Sequence, residues 1–336
     1  MRSSGCSPAG TFPPVEAVDR SVNRRQFLFA AGAAPFLLRS ELGLTAAGPT
    51  ALVTADLEAA VVAVDPFAGR VLRRIATRPD PRSIERVGSV AVVAHTAIGE
   101  VTLLHAPSLD VRHLLREFDE PRYTAGTPDG RHAFVTDSGR ADVAVVDVVR
   151  GRVLARLHLG GWPRHVTLDP QGRTLWVSLG SEAREVAVVD VSQPARPRLV
   201  TKIHPPFLAH DVGFAPGGRN VWVSSGDRGA LAVYDARRGR VLRRLAAGTP
   251  PQHVTFHGGN AYVTSGDDGT IHVQSLRDGR VLRATTIPVG SYNVQQGSGL
   301  ILTPSLERGT VCMLDLQGRL LRRVRVARSS HDACLI

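Results

Sequence analysis

The 336-residue chain is 43% hydrophobic, only 5% aromatic, and carries a formal net charge of +11. That length buries a sizeable core in one large all-β domain as readily as in two smaller ones. The basic residues include a single lysine, Lys202, and the arginines are scattered, mostly in Gly-Arg turns such as Gly151-Arg152 and Gly239-Arg240. No dense basic helix or block is present, which argues against nucleic-acid recognition.

The first predicted element is a targeting segment. In "SVNRRQFLFAAGAAPFLL" (21–38), Arg24 and Arg25 precede an apolar run from Phe27 to Leu38. The run falls short of the ~20 residues a membrane-spanning helix needs. Small residues follow at "TAAG" (45–48), completing the layout of a cleaved export signal. The paired arginines with "QFL" resemble the twin-arginine motif, which implies the twin-arginine export machinery as a partner and passage in the folded state. The expectation is therefore a signal over 1–47 and a domain over 48–336, periplasmic or extracellular, with no stable membrane span after cleavage.

Cys6 falls in the signal, leaving Cys312 and Cys334. Two cysteines make no disulfide framework, and both sit among apolar residues as buried thiols do. No C-x-x-C-H occurs, so covalent c-type haem attachment is excluded.

The remaining elements are short strands that repeat. "TALVTADLEAAVVAVDPFAGRVLRRI", "SVAVVAHTAIGEVTLLHAPSLDVRHLL" and "HAFVTDSGRADVAVVDVVRGRVLARL" are followed by "TLWVSLGSEAREVAVVDVSQPARPRLV" and "NVWVSSGDRGALAVYDARRGRVLRRL". "NAYVTSGDDGTIHVQSLRDGRVLRAT" and "LILTPSLERGTVCMLDLQGRLLRRV" complete seven units with a period near forty residues. Apolar residues alternate with period two and both faces are mostly apolar, as in a sheet sandwiched between sheets. Four strands per unit, seven times over, predict an all-β seven-bladed β-propeller. The C-terminal "SHDACLI" (330–336) has no following strands, and the first unit lacks an innermost one. The chain end should therefore join the first blade and seal the ring.

At this point "PRHVTLDPQGRTLWVSLG" with "EVAVVDV", and "PQHVTF" with "GNAYVTSGDDGTIHV", resemble the repeat of YVTN-type propellers, exported relatives of lactonase-like propellers. Tyr262-Val263-Thr264 keeps the motif literally, and it degenerates to "WVS" at 176–178 and 222–224. The resemblance implies the fold; the family spans binding proteins and enzymes, so the function has to come from a site.

Seven positions head the innermost strands in this reading: Ser83, Tyr123, His165, His210, His253, Tyr292 and His331. They should ring one mouth of the central channel. Neutral imidazole is the commonest metal ligand, so His165, His210, His253 and His331 form a candidate site for copper, zinc or nickel. The resemblance to seven-bladed copper enzymes, nitrous oxide reductases among them, adds a histidine ring at this place. The chain departs from that pattern in having four such histidines and no second copper domain. A polar ligand site, or simple tiling of the mouth by backbone-bonded imidazoles, are the other readings of the same repetition. Asp211 and Asp332, each following a histidine, should face the adjacent blade and either orient its histidine or bond its backbone. Arg82, Arg122 and Arg164 are placed to pair with an anion, beside Trp162 as a stacking wall.

"SGDRG" (225–229) and "SGDDG" (265–269) are hairpin turns rather than calcium loops, which need more oxygen ligands. With no G-x-S-x-G, Walker loop or H-E-x-x-H, the expected function is an exported binding module, its small-molecule or protein ligand held at the mouth. A metal-dependent oxidoreductase or lyase using the histidines is the alternative, and a lactone hydrolase a weaker one.

Overall fold

The computed structural model describes residues 48–180, 184–248 and 250–336. The predicted signal, with Arg24, Arg25 and Cys6, lies outside the described residues. Within them are seven four-stranded antiparallel sheets, each strand bonded to its neighbours in sequence. The fold is a seven-bladed β-propeller. No helix among the described residues is long and apolar enough to cross a membrane.

The first blade is composite. Its innermost strand is Ala333–Leu335 from the chain end, followed by Ala51–Ala55, Ala60–Asp65 and Arg70–Ala76. The seal is antiparallel, with Ala51 opposite Leu335, Leu52 opposite Cys334 and Val53 opposite Ala333. Two reciprocal bonds extend it, Thr50 N to Ile336 O at 3.2 Å and Ile336 N to Thr50 O at 2.9 Å. Closure therefore removes the two strand edges an open array would expose.

Alternation along each strand feeds two different cores. In Val90–His95, Ala91 and Val93 pack with Leu52, Val61 and Leu104 in the seam facing the first blade. Val90 and Val92 pack with Leu103, Val135 and Ala144 in the seam facing the third. Seven such apolar seams, one between each pair of neighbouring blades, replace a single core. This is why both faces of the sequence pattern are apolar. Tight hairpins keep the blades close: Gly88 in the second blade has φ +61°, and a Cβ there would lie 2.8 Å from Gly130 O in the third.

The arginines of the outer strands tie blades together. Arg73 Nη1 donates to Ser108 O at 3.3 Å, Arg243 Nη1 to Arg277 O at 2.6 Å, and Arg322 Nε to Phe67 O at 2.6 Å. Each bond crosses from one blade to the next, satisfying a turn carbonyl. These arginines serve the seams between blades.

Candidate functional site

Hydroxyls on the second strand of five blades fix which residue heads the innermost one. They accept the amides of Tyr123 (Thr136, 3.0 Å), His165 (Ser178, 3.1 Å), Asp211 (Ser224, 2.9 Å), His253 (Thr264, 3.3 Å) and Asp332 (Thr54, 2.9 Å). Four of these hydroxyls, all but Thr54, donate onward to the next blade, as Ser178 does to His210 O at 2.8 Å and Ser224 to Gln252 O at 2.6 Å. In the last blade Gln295 faces Leu302 as Thr255 faces Tyr262, which makes Asn293 the head. The true heads are therefore Ser83, Tyr123, His165, Asp211, His253, Asn293 and Asp332.

The expected register is one residue out at three blades. His210, Tyr292 and His331 precede the heads and share their level with Arg82, Arg122, Arg164 and Gln252. A one-residue slip reverses the direction of a strand side chain. The consequence is a layered channel, with a mouth, a throat and a chamber, in place of one polar ring.

The throat gathers the aromatic rings. Ring centroids lie 4.6 Å apart for His165 and His210, 4.4 Å for His165 and His253, and 5.7 Å for His210 and His253. One ring nitrogen from each can be chosen so that all lie within 4.8 Å of one another. His165 is 1% exposed, and its Nδ1 lies 2.6 Å from His210 O. A carbonyl only accepts, so Nδ1 carries the proton and Nε2 presents a lone pair. That Nε2 is buried and has no hydrogen-bond partner. Tyr123 closes the throat, its ring 4.2 Å from His165, 5.5 Å from His253 and 6.3 Å from His331. His331 stands outside the trio and turns Nδ1 to Arg82 O at 2.6 Å.

Burial keeps these imidazoles neutral. It pushes His210 down to about 3, and His331 to about 3 with help from Arg82. His165 and His253 are likewise held well below the ordinary range, first by burial and then by neighbouring imidazoles and Arg164. Neutral rings keep the lone pairs that a metal needs.

The mouth holds the arginines on one side. Arg82 meets Asp56 at 3.4 Å and Arg122 meets Glu120 at 3.0 Å. Trp162 lies beneath Arg122 at 4.4 Å and Arg164 at 5.6 Å, and donates to Glu120 Oε2 at 3.3 Å. It serves the arginines as a platform. The Arg164 Nε is buried without a hydrogen-bond partner. The space among Arg82, Arg122, Arg164, Tyr123 and His331 is a small pocket of ≈ 10 Å³. Tyr292 does not join this group: its hydroxyl donates to Asp267 Oδ1 at 3.0 Å, away from the histidines.

Beyond Tyr123 the channel widens into a chamber of ≈ 290 Å³. The heads His165, Asp211, His253, Asn293 and Asp332 line its inner end, and Glu85, Thr167, Thr255 and Gln295 its walls. Asp211 Oδ2 accepts Val254 N at 2.9 Å, and Asp332 Oδ2 accepts Ile84 N at 3.0 Å. Both carboxyls thus bond the backbone of the adjacent blade. Asp211 also lies 3.6 Å from His253 Nδ1. Burial raises Asp211 to about 7 and Glu85 to about 7, and carries Asp332 well above the carboxylate range. Glu85, Asn293 and Gln295 were not anticipated. Glu85 was legible as the residue two beyond the strand head Ser83, hence on the same side of the strand.

Residues 92–257, from the second strand of the second blade through the innermost strand of the sixth, match the family model described as the cytochrome D1 heme domain. Among solved structures, hydrazine synthase of Kuenenia stuttgartiensis is 17% identical with a TM-score of 0.62, covering 75% of this chain and 88% of that one. Dihydro-heme d1 dehydrogenase NirN, in complex with DHE, is 15% identical with a TM-score of 0.62, over 85% of this chain and 74% of that one. A functionally unknown protein from Desulfotomaculum acetoxidans DSM 771 is 11% identical with a TM-score of 0.73, over 86% and 99%. No curated protein matches the chain. At these identities the likeness is one of fold, and it places the chain among β-propellers.

Proposed function

We propose that this protein is a ligand-binding propeller whose throat holds one divalent transition-metal ion on His165, His210 and His253. The observations that carry the reading are the fixed tautomer of His165, with Nδ1 donating to a backbone carbonyl and Nε2 buried and unpartnered, and the approach of one ring nitrogen each from His165, His210 and His253 to within 4.8 Å of one another. A metal-bound histidine characteristically donates its other nitrogen in this way. Three imidazoles suit copper or zinc, and they leave coordination positions for an incoming ligand. The same centre therefore also serves the reading as a metal-dependent oxidoreductase or lyase.

Haem, suggested by the family match, fits these residues poorly. Ring contacts of 4.2 to 5.7 Å fill the channel axis at the throat. The pocket above them is ≈ 10 Å³ and the chamber below ≈ 290 Å³, under the usual range for even drug-sized ligands. No role is assigned to a tetrapyrrole here.

Residues 1–47 are proposed to direct export through the twin-arginine pathway, and Tyr262-Val263-Thr264 supports kinship with YVTN-type propellers. The metal reading is tested by calorimetric titration of zinc and copper(II) into chelator-treated full-length chain. One site per chain is expected, weakened at least tenfold in His210→Ala. Absence of binding below ~100 μM, about 5 kcal/mol, would overturn it.

A further inference from the structure

The chamber below the throat has a chemistry of its own. Three carboxyl groups on three different innermost strands, Glu85, Asp211 and Asp332, line it. No lysine or arginine lines it, and Arg164 acts on Asp211 only from the mouth side. The other titratable groups facing it are the neutral imidazoles of His165 and His253 and the Tyr123 hydroxyl. His165, 1% exposed, lines the inner end, and its Nε2 has no hydrogen-bond partner. Exposure rises along the strands: Asp211, His253 and Asp332 are buried, whereas Glu85, Thr167 and Thr255 are half-buried. Solvent therefore reaches the chamber from the end opposite the arginines, and Tyr123 separates the two compartments.

We propose that this chamber is a second binding site, for a compact organic cation such as a small primary amine or diamine. Carboxyl groups taken out of water without a counter-charge are costly to ionise. Here burial holds Glu85, which is remote from the throat histidines in sequence, toward the protonated form. A cation entering from solvent supplies the missing counter-charge, and ammonium N–H groups bonded to carboxylates make strong charge-assisted contacts. The volume of ≈ 290 Å³ limits the ligand to a short chain, since a water's share of liquid volume is ~30 Å³. The arginine mouth works in the opposite sense and repels cations, so the two ends of the channel discriminate by charge.

The test uses three probes of one length and different charge, 1,4-diaminobutane, 1,4-butanediol and succinate, titrated into chelator-treated full-length chain. The diamine should bind at least tenfold more tightly than the diol, and succinate should not bind. Glu85→Gln should weaken the diamine at least tenfold while the melting temperature is kept. The parent chain with its three probes remains decisive if that variant fails to fold. Equal binding of diamine and diol, preference for succinate, no diamine binding at 10 mM, or an unaffected folded Glu85→Gln would each overturn the proposal. His210 does not line the chamber, so His210→Ala should lose zinc and keep the diamine. That variant separates failure of the metal reading from failure of this one.

Discussion

Replacing Asp332 by alanine should loosen the ring at its seal. Asp332 is 3% exposed; its Oδ2 accepts Ile84 N at 3.0 Å and its Oδ1 accepts Ala333 N at 2.9 Å. The first bond joins the first blade to the second, and the second holds the start of the closing strand. Alanine leaves both amides without these partners at the closing seam, and a buried unsatisfied donor costs about 1–3 kcal/mol. The total is about 2–6 kcal/mol, which lowers the melting temperature by roughly 5–15 °C in a domain of this size. Asparagine separates shape from charge. Burial carries the Asp332 carboxyl well above its usual range, and asparagine keeps the acceptor for Ile84 N but turns an amide donor toward Ala333 N. At pH 7 Asp332→Asn should therefore melt between the parent and the alanine variant, losing about 1–3 kcal/mol for the one amide it leaves unpaired. A raised carboxyl pKa costs stability as pH rises from the ordinary carboxylate range towards the folded value, so the asparagine chain should gain on the parent with rising pH. Calorimetric melts of both variants at pH 7 and 9 decide the matter. An alanine variant melting within 1 °C of the parent, or an asparagine variant as weak as alanine, would refute the reasoning.

Three further outcomes are expected. Removing residues 333–336 deletes the strand paired with Ala51–Ala55 and exposes the edge at Leu52 and Val53; size-exclusion light scattering should show association, and a monodisperse monomer would contradict closure. His331 is held down to about 3 against an ordinary 6.5, so the unfolded chain binds the extra proton and stability falls as pH drops from 6.5 towards 3. His331→Gln should remove about 2 kcal/mol of the stability lost between pH 7 and 5, measured by urea denaturation, and an unchanged loss would mean the ring charges freely. Arg164 opposes positive charge at His165, His210 and His253. Arg164→Gln should therefore tighten zinc binding several-fold, about 1 kcal/mol, and weaker binding would mean that Arg164 supports the site.

The propeller was legible because its signals are local and repeated. Period two, two apolar faces and forty-residue spacing each follow from blades stacked on both sides, and the orphan "SHDACLI" announced the closing strand. The register at the strand heads was not legible from alternation alone. In "AHDVGF" and "SHDACL" either residue of the His-Asp pair can lead, and Ser224 and Thr54 on the facing strands make the choice. That one-residue difference turns Asp211 and Asp332 into blade-bridging carboxyls and leaves His210 and His331 a level higher. Tyr292 looked equivalent to Tyr123, yet Asp267 from a neighbouring hairpin takes its hydroxyl, a contact no repeat alignment contains. The chamber escaped notice because Glu85 and Gln295 have no counterparts of the same type in other repeats. Only the strand geometry brings them opposite each other, with Gln295 Nε2 at 3.3 Å from Glu85 Oε2.

The most direct test of the central claim is X-ray absorption spectroscopy of the full-length chain loaded with one equivalent of zinc or copper(II). Three imidazole nitrogens at about 2.0–2.1 Å, with the outer-shell scattering of histidine rings, are the predicted first shell. A shell of oxygen alone, or one imidazole only, would contradict the assignment of His165, His210 and His253 as the metal's ligands.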